Sequence, residues 1–339
     1  MKPLNENWFL TQVPGKPMGR YAHIIMLRVT DSYPLFQTDG ELNTARVRAG
    51  VTHDEPITRL TIFKRKQSTP ERLVGRELLR RYSFLSGDAA DGKKTVDEDG
   101  LLICDYNVQF CTQCPDCITY GFAIGDAGSE KSKVITDTAY SLTSYDHSHE
   151  AFTLNAPYED GTMTRYGDVT SRINEQDHVQ PQVIFPVVVT TRDLTKDLFL
   201  YVLNNVLRTR RYGAQTTRTG RVHSRIAAVA LTDGEIFSNL LFTQRLYDVL
   251  VDAGAINPPD PIDPDVAFEV AQSLVPELLH EDGVVVDQLL VGEGLESLLA
   301  EMAVLSADHG KVKALLESAF DASRAYHEAW IAKSSKKKK

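Results

Sequence analysis

All four cysteines of the chain fall in one short span: Cys104, then Cys111-Thr-Gln-Cys114-Pro-Asp-Cys117. Two overlapping Cys-x-x-Cys knuckles aim their thiolates inward at one tetrahedral ion, and a fourth ligand must close a structural site. Cys104 is the simplest fourth ligand, with His147 or His149 as alternatives. An iron–sulfur cluster is the rival reading, because Cys-x-x-Cys-x-x-Cys resembles the ferredoxin run. That run continues to a fourth cysteine, where this chain has Gly121. Structural zinc is therefore the expected cofactor, stapling a loop with little core of its own. The second chemical feature is Arg208 to Arg225, with six arginines and no acid in a chain of formal net charge -9. Arginine forks grip phosphate oxygens in pairs, and glycine lets main-chain N–H groups approach an anion. A phosphate backbone is the natural ligand, with a solvated surface loop as the alternative.

Other candidates for chemistry are weaker. Gly121 to Val134 invites a nucleotide-loop reading, but Glu130 precedes Lys131 where a P-loop needs glycine. Lys131 and Lys133 remain candidates for a nucleic-acid backbone. The chain has no Gly-x-Ser-x-Gly elbow, no His-Glu-x-x-His and no Gly-x-Gly-x-x-Gly after a strand. His23 sits in an apolar strand and reads as a core residue, whereas His223 lies among arginines. Asp31 and Asp39 follow the first strand and could carry metal-dependent cleavage, though loop aspartates more often form turns.

The elements that must position these groups follow from periodicity and punctuation. Ala22 to Val29 reads as a buried strand, and Arg59 to Phe63 as another leading into Lys64-Arg65-Lys66. A helix is expected from Ser68-Thr69-Pro70, with Leu73, Val74, Leu78 and Leu79 inward and Arg72, Arg76 and Arg80 outward. Ser86 to Gly100 is a linker, and Tyr140 to Gln182 an extended hairpin or lobe. Val183 to Val189 is a strand, Asp197 to Arg208 a helix, and Ile226 to Leu231 the closing strand. This order fits an α+β, ferredoxin-like βαββαβ core with large insertions. Beyond Glu235 come helical patterns, including Ala267 to Leu279, Val286 to Leu305 and Lys311 to Ala332, broken by a proline-rich linker at residues 258–264. Twelve acids and no Lys or Arg lie between Val251 and Glu301. The charge asymmetry suggests a basic working surface and an acidic, helical C-terminal region. With 42% hydrophobic and 24% charged residues, the composition is that of a globular protein. No apolar run reaches the roughly 18 residues a membrane span needs. Met1 to Asn7 lacks a secretory pattern, so a cytoplasmic setting is expected.

Several segments together resemble one family. They are the cysteine cluster running into Tyr120-Gly-Phe-Ala-Ile-Gly-Asp-Ala-Gly-Ser-Glu-Lys-Ser-Lys-Val134, the run Phe152-Thr-Leu-Asn-Ala-Pro157 with Gly161-Thr-Met, and Arg211-Tyr-Gly-Ala-Gln-Thr-Thr-Arg-Thr-Gly-Arg221. Over roughly Met1 to Thr232 the chain looks like the backbone subunit of type I-D CRISPR Cascade-like effector complexes, in the RAMP superfamily. The resemblance implies an RRM-like core over 1–233, with a zinc-bearing insertion at 96–135 and a thumb at 140–182. A helical region at 234–332 and a disordered lysine tail at 333–339 follow. It also implies a non-catalytic role, in which copies polymerise along CRISPR guide RNA while a target DNA or RNA strand pairs with it. Further partners would be a large Cas-ten-like subunit, a Cas-five-like cap and a Cas-six-like processing subunit. Carried onto this chain, the phosphate grips are Arg208, Arg210, Arg211, Arg218 and Arg221, with Tyr212 among them. Lys64, Arg65, Lys66 and Arg76 form a second tier. Phe152, Met163 or Tyr166 would be the thumb's wedge between bases. The alternative is a backbone nuclease using Asp31 or Asp39.

Overall fold

The computed structural model describes residues 3–124, 128–155, 157–159, 161–162, 164–165, 168–169 and 173–332. Its centre is a five-stranded antiparallel sheet. In chain order the strands are β1 (Tyr21–Thr30), β2 (Val134–Thr136), β3 (Ile184–Arg192), β4 (Val222–Thr232) and β5 (Val286–Leu290). They lie side by side as β5-β4-β1-β3-β2. β1 is apolar without alternation because both sheet faces are covered. Ile24 and Met26 enter one core layer, while Ile25 and Leu27 enter the other. Burying both faces keeps the central strand paired and dry along its length.

Seven helices are named among the described residues: α1 (Lys64–Arg81), α2 (Pro115–Tyr120), α3 (Lys196–Arg208), α4 (Asn239–Asp252), α5 (Pro264–Asp282), α6 (Gly292–Ser306) and α7 (His309–Tyr326). One core layer joins α1, α2, α3, α6 and α7 to the sheet, and the other joins α4 and α5 to its opposite face. The C-terminal region thus completes both layers. No described helix is long and apolar enough to cross a membrane. A second, three-stranded sheet pairs Thr44–Arg48, Pro56–Ile62 and Ala139–Ser144. The buried Arg59 guanidinium pins it, donating to the carbonyls of Ala49, Ser141 and Leu142.

Two expectations change. Val286–Leu290 is an edge strand, and the helix begins only at Gly292. Val284 and Val285 lead into the strand and Val286 opens it, and β-branched side chains favour this conformation. Helix α1 starts at Lys64 rather than Ser68 and carries Pro70 inside. Its first turn is anchored by the Gln67 amide, which donates to the carbonyls of Ile62 at 2.8 Å and Asp137 at 2.7 Å. The buried face of α1 also differs. Glu71, Arg72 and Arg76 are buried, while Leu73 and Val74 are half-buried.

Candidate nucleic-acid interface and metal centre

The four cysteine sulfurs lie within 4.8 Å of one another. Cys104 Sγ is 3.9 Å from Cys114 Sγ and 3.7 Å from Cys117 Sγ, and Cys111 Sγ is 4.0 Å from Cys117 Sγ. A tetrahedron with metal–sulfur bonds of about 2.3 Å has edges of about 3.8 Å, so the set fits one tetrahedral ion. A multi-iron cluster interposes its own metal and sulfide atoms and would hold the thiolates further apart. Cys104 is therefore the fourth member of the group. His149 is engaged elsewhere, its ring stacked on Tyr145 at 3.9 Å. The geometry is local in origin. Cys114 caps α2, with Pro115 in its first turn, and its sulfur accepts from the Cys117 N–H at 3.5 Å. The Cys111 N–H donates to Cys104 Sγ at 3.3 Å.

Around the knuckle sits a buried ionic shell. Asp116, on α2 between two of the cysteines, is fully buried. Arg72 grips it with two bonds, Nε to Oδ1 at 2.9 Å and an Nη to Oδ2 at 2.8 Å. Arg76 adds an Nη bond to Oδ2 at 2.6 Å and another to the Cys104 carbonyl at 2.5 Å. Burial opposes the charge on Arg76, but Asp116 and the neighbouring Cys104 and Cys114 push its pKa up. Arg76 is thus removed from the phosphate-contact set, because its guanidinium is sealed inside against a carboxylate. Lys133 is corrected in part: it is half-buried and paired with Glu130 at 2.7 Å, whereas Lys131 is exposed.

The arginine stretch forms a folded loop docked on residues 31–36. The main chain of Arg211 bridges Arg221, and that of Gly213 bridges Leu35. Ala214 N–H donates to Leu35 O at 2.8 Å, Gly220 N–H to Tyr33 O at 3.0 Å, and Asp31 N–H to Arg221 O at 2.9 Å. Both loop glycines serve this docking rather than phosphate access. A Cβ on Gly213 would lie 2.2 Å from Leu35 O, and one on Gly220 2.5 Å from Tyr33 C. Arg211, Arg218 and Arg221 are exposed. Arg208 instead donates to Ser306 O at 2.7 Å and Asn204 Oδ1 at 3.1 Å, tying α3 to the end of α6. Tyr212 is corrected outright. It is fully buried, its ring 4.1 Å under the Arg28 guanidinium and its hydroxyl 3.1 Å from Glu71.

Lys64, Arg65 and Lys66, in the first turn of α1, face this loop across a cavity of about 730 Å³ that Phe63, Gly213 and Thr216 also line. Helix N-termini carry partial positive charge. Three cations, with no acid in the first turn and no side-chain cap, make this end electropositive, and Lys64 pairs with Asp137 at 3.5 Å. Lys66 has its pKa lowered by burial and by Arg65, with Asp39 opposing. The hairpin strands His149–Asn155 and Ile173–Val179 pair along their full length. Phe152 is held on that hairpin between Tyr33, at 4.9 Å, and His178, at 5.2 Å. Met163 and Tyr166 lie outside the described residues. Asp31 and Asp39 are exposed, Asp39 in a turn at φ 55. The cysteines are the one group of three or more metal-ligating side chains among the described residues.

Comparison with known proteins decides the family. Residues 8–316 match the family described as Csc2 Crispr. The chain belongs to the Csc2 CRISPR family. Its fold is similar to the crystal structure of Thermofilum pendens Csc2, with TM-score 0.57 and 16% identity over 95% of this chain and 94% of that one. It is also similar to a chain of a CRISPR RNA-guided surveillance complex, pre-nicking, with TM-score 0.50 and 10% identity over 85% and 99%. At these identities the likeness shows the fold alone. No curated protein sequence matches the chain.

In this Csc2-family chain, sequence reasoning missed the two ionic clusters along α1. Glu71 holds Arg28 at 2.6 Å and meets Tyr212 of the arginine loop, while the next residue, Arg72, holds the cysteine knuckle. Burial pushes the Glu71 carboxyl above its ordinary range, with Arg28 and Tyr212 pulling the other way. One signal was present: Asp116 sits among the cysteines and α1 is rich in arginine. Phe63, 43% exposed, also lines the groove, and its place at the end of an apolar strand gives no sign of that.

Proposed function

We propose that this chain is an RNA-binding backbone subunit of a type I-D CRISPR antiviral effector, polymerising along guide RNA and presenting it for pairing with target DNA or RNA. The observation that carries this reading is the groove. It joins three cations at the uncapped start of α1 to the loop that exposes Arg211, Arg218 and Arg221. Such a surface holds phosphates and leaves sequence to base pairing. Phe63 offers a flat apolar face on which a base can stack. The sheet order, with α1 and α3 as the crossovers, supports a ferredoxin-like, RRM-like core over residues 1–233. In the same proposal residues 140–182 are the thumb, and residues 234–332 serve as a helical support for that core.

The cysteine group would hold structural zinc. Its four thiolates fit a closed tetrahedral site, and the ion would supply cross-linking rather than catalysis, since no position stays open for substrate. The protein's own part is to fix α2 through Asp116, Arg72 and Arg76. The role is non-catalytic, and the large Cas-ten-like, Cas-five-like and Cas-six-like subunits are the expected neighbours in the assembly. The test is native mass spectrometry of the chain on single-stranded RNAs of increasing length, with Mg²⁺ present. Copies should add stepwise with length and the RNA should stay intact. A single copy at every length would refute polymerisation. Regularly spaced cuts lost in Asp31→Ala or Asp39→Ala would replace the structural role with a nuclease.

A further inference from the structure

The two ends of the arginine stretch meet at a second cleft, built with the C-terminal helices and separate from the groove at α1. Val222 N–H donates to Arg210 O at 2.9 Å, closing the loop and setting Arg210 beside the start of β4. β5 pairs with β4 only between Val229 and Thr232, so the outer side of Val222 to Ala228 faces α5 and α6 instead of a strand. There Arg210, His223 and Arg225 rim a cavity of about 610 Å³ whose apolar wall is Phe268, Leu299 and Met302.

The chemistry of this cleft is specific. Arg225 lies 4.4 Å over the Phe268 ring and is paired with Asp265 at 2.7 Å, so its guanidinium plane is fixed against an aromatic face. Arg210 meets no carboxylate among the described residues, and Arg208 is already tied to Ser306 and Asn204. Burial, with Arg210, Arg225 and Arg221 adding to it, lowers the pKa of His223, and Asp31 is the one acid opposing. A cationic rim over an apolar, aromatic wall suits a ligand with an anionic end and a flat apolar body. The volume is within the range of small-molecule sites. Unstacked bases are held on aromatic rings and arginine planes, with their phosphates on free arginines.

We infer that this cleft takes one unstacked nucleotide, its phosphate on Arg210 and His223 and its base on the Phe268–Arg225 layer. The site adds to the α1 groove a contact made by the C-terminal helices, and it rests on the RNA-binding reading above. It gives α5 and α6 a part in holding the strand, beyond covering the sheet.

The test is photo-crosslinking of a single-stranded RNA carrying 4-thiouridine, with crosslinked peptides mapped by mass spectrometry. Wild type should crosslink both in Lys64–Pro70 and in α5 or α6 around Phe268 and Met302. Ala303 is exposed on α6 and lines the cleft, so Ala303→Glu places an acid there without removing core. It should lower the α5 and α6 crosslinks about tenfold, the fold-change expected for one lost stacked base, and leave the groove crosslinks in place. Arg210→Gln should act in the same direction, and unchanged thermal melting of both variants separates a blocked cleft from a lost fold. Free nucleoside monophosphate competing as well as the RNA at the cleft alone would make its ligand a free nucleotide and overturn the strand contact. Groove crosslinks without cleft crosslinks, or cleft crosslinks indifferent to both variants, would also overturn the inference. No crosslinks at either place would remove the RNA-binding reading itself.

Discussion

Replacing Asp116 by alanine should destabilise the protein more than any surface change near the cysteines. Asp116 accepts three charge-assisted bonds, at 2.9, 2.8 and 2.6 Å, from Arg72 and Arg76. Its side chain and that of Arg76 are fully buried, and that of Arg72 is 10% exposed. Removing one partner of a buried ion pair leaves an uncompensated charge, at a cost of about 3–5 kcal/mol. Here two guanidiniums lose the same partner, although each keeps one main-chain carbonyl, Gly121 O for Arg72 and Cys104 O for Arg76. The upper part of that range is therefore the expected loss. Asp116→Asn keeps the shape and one acceptor oxygen and should cost about half as much. Replacing the whole cluster by apolar groups, as in Asp116→Leu with Arg72→Met and Arg76→Met, should restore most of the stability, because no buried charge is left unpaired. Urea unfolding of metal-loaded protein, followed by circular dichroism, reads all three. Since Asp116 also orients α2 between Cys114 and Cys117, metal affinity should fall about 10–100-fold in Asp116→Ala. A loss below about 1 kcal/mol in Asp116→Ala would refute the argument, as the desolvated guanidiniums would then have found water or another partner.

Elemental analysis of freshly purified protein should give close to one zinc per chain and no iron; iron would overturn the single-ion geometry. Chelation should unfold the insertion around α2, seen as protease cleavage near the cysteines. Gly213→Ala should cost about 1–3 kcal/mol and weaken RNA binding, since its φ of +96 and the 2.2 Å approach to Leu35 O both exclude a side chain. Binding unchanged in that variant would separate the loop from the interface. His23 has its pKa lowered to about 4 by burial, against an ordinary value of 6.5. The unfolded chain takes up its proton first, so this contribution is complete above about pH 6.5 and is lost as pH falls toward 4, by up to about 3 kcal/mol. His23→Gln should flatten the dependence of urea midpoint on pH across that window, and an unaltered slope would assign the acid lability to other groups.

Much of the architecture was legible because it rests on local pattern. β1, β3, β4 and α3 were all readable from apolar runs and their flanking turn residues, and the cysteine group from spacing alone. What escaped reading was tertiary pairing of charge. Arginines on α1 looked solvent-facing because sequence alone does not show that Asp116 is buried opposite them. Tyr212 looked like part of an exposed basic loop until Arg28, nearly two hundred residues earlier in the chain, was brought onto its ring. Val286 to Leu290 reads as the start of a helix because its leucines and valine have no strong period, and only pairing with β4 decides it. The candidate interface was half legible: the exposed arginines were named, but the groove needs α1 to start at Lys64 and the loop to fold back on residues 31–36.

The central claim is that this chain holds RNA by its backbone through the α1 and arginine-loop groove. Its most direct test is the salt dependence of binding to two single-stranded RNAs of unrelated sequence, for wild type and for a variant with Lys64, Arg65 and Arg218 changed to glutamate. Each lost phosphate contact should reduce the slope of log affinity against log salt by about 0.7. Wild type should show equal affinities and equal slopes for the two RNAs, and the variant a slope flatter by about two. Strong preference for one sequence, or a variant whose slope and affinity match wild type, would contradict it.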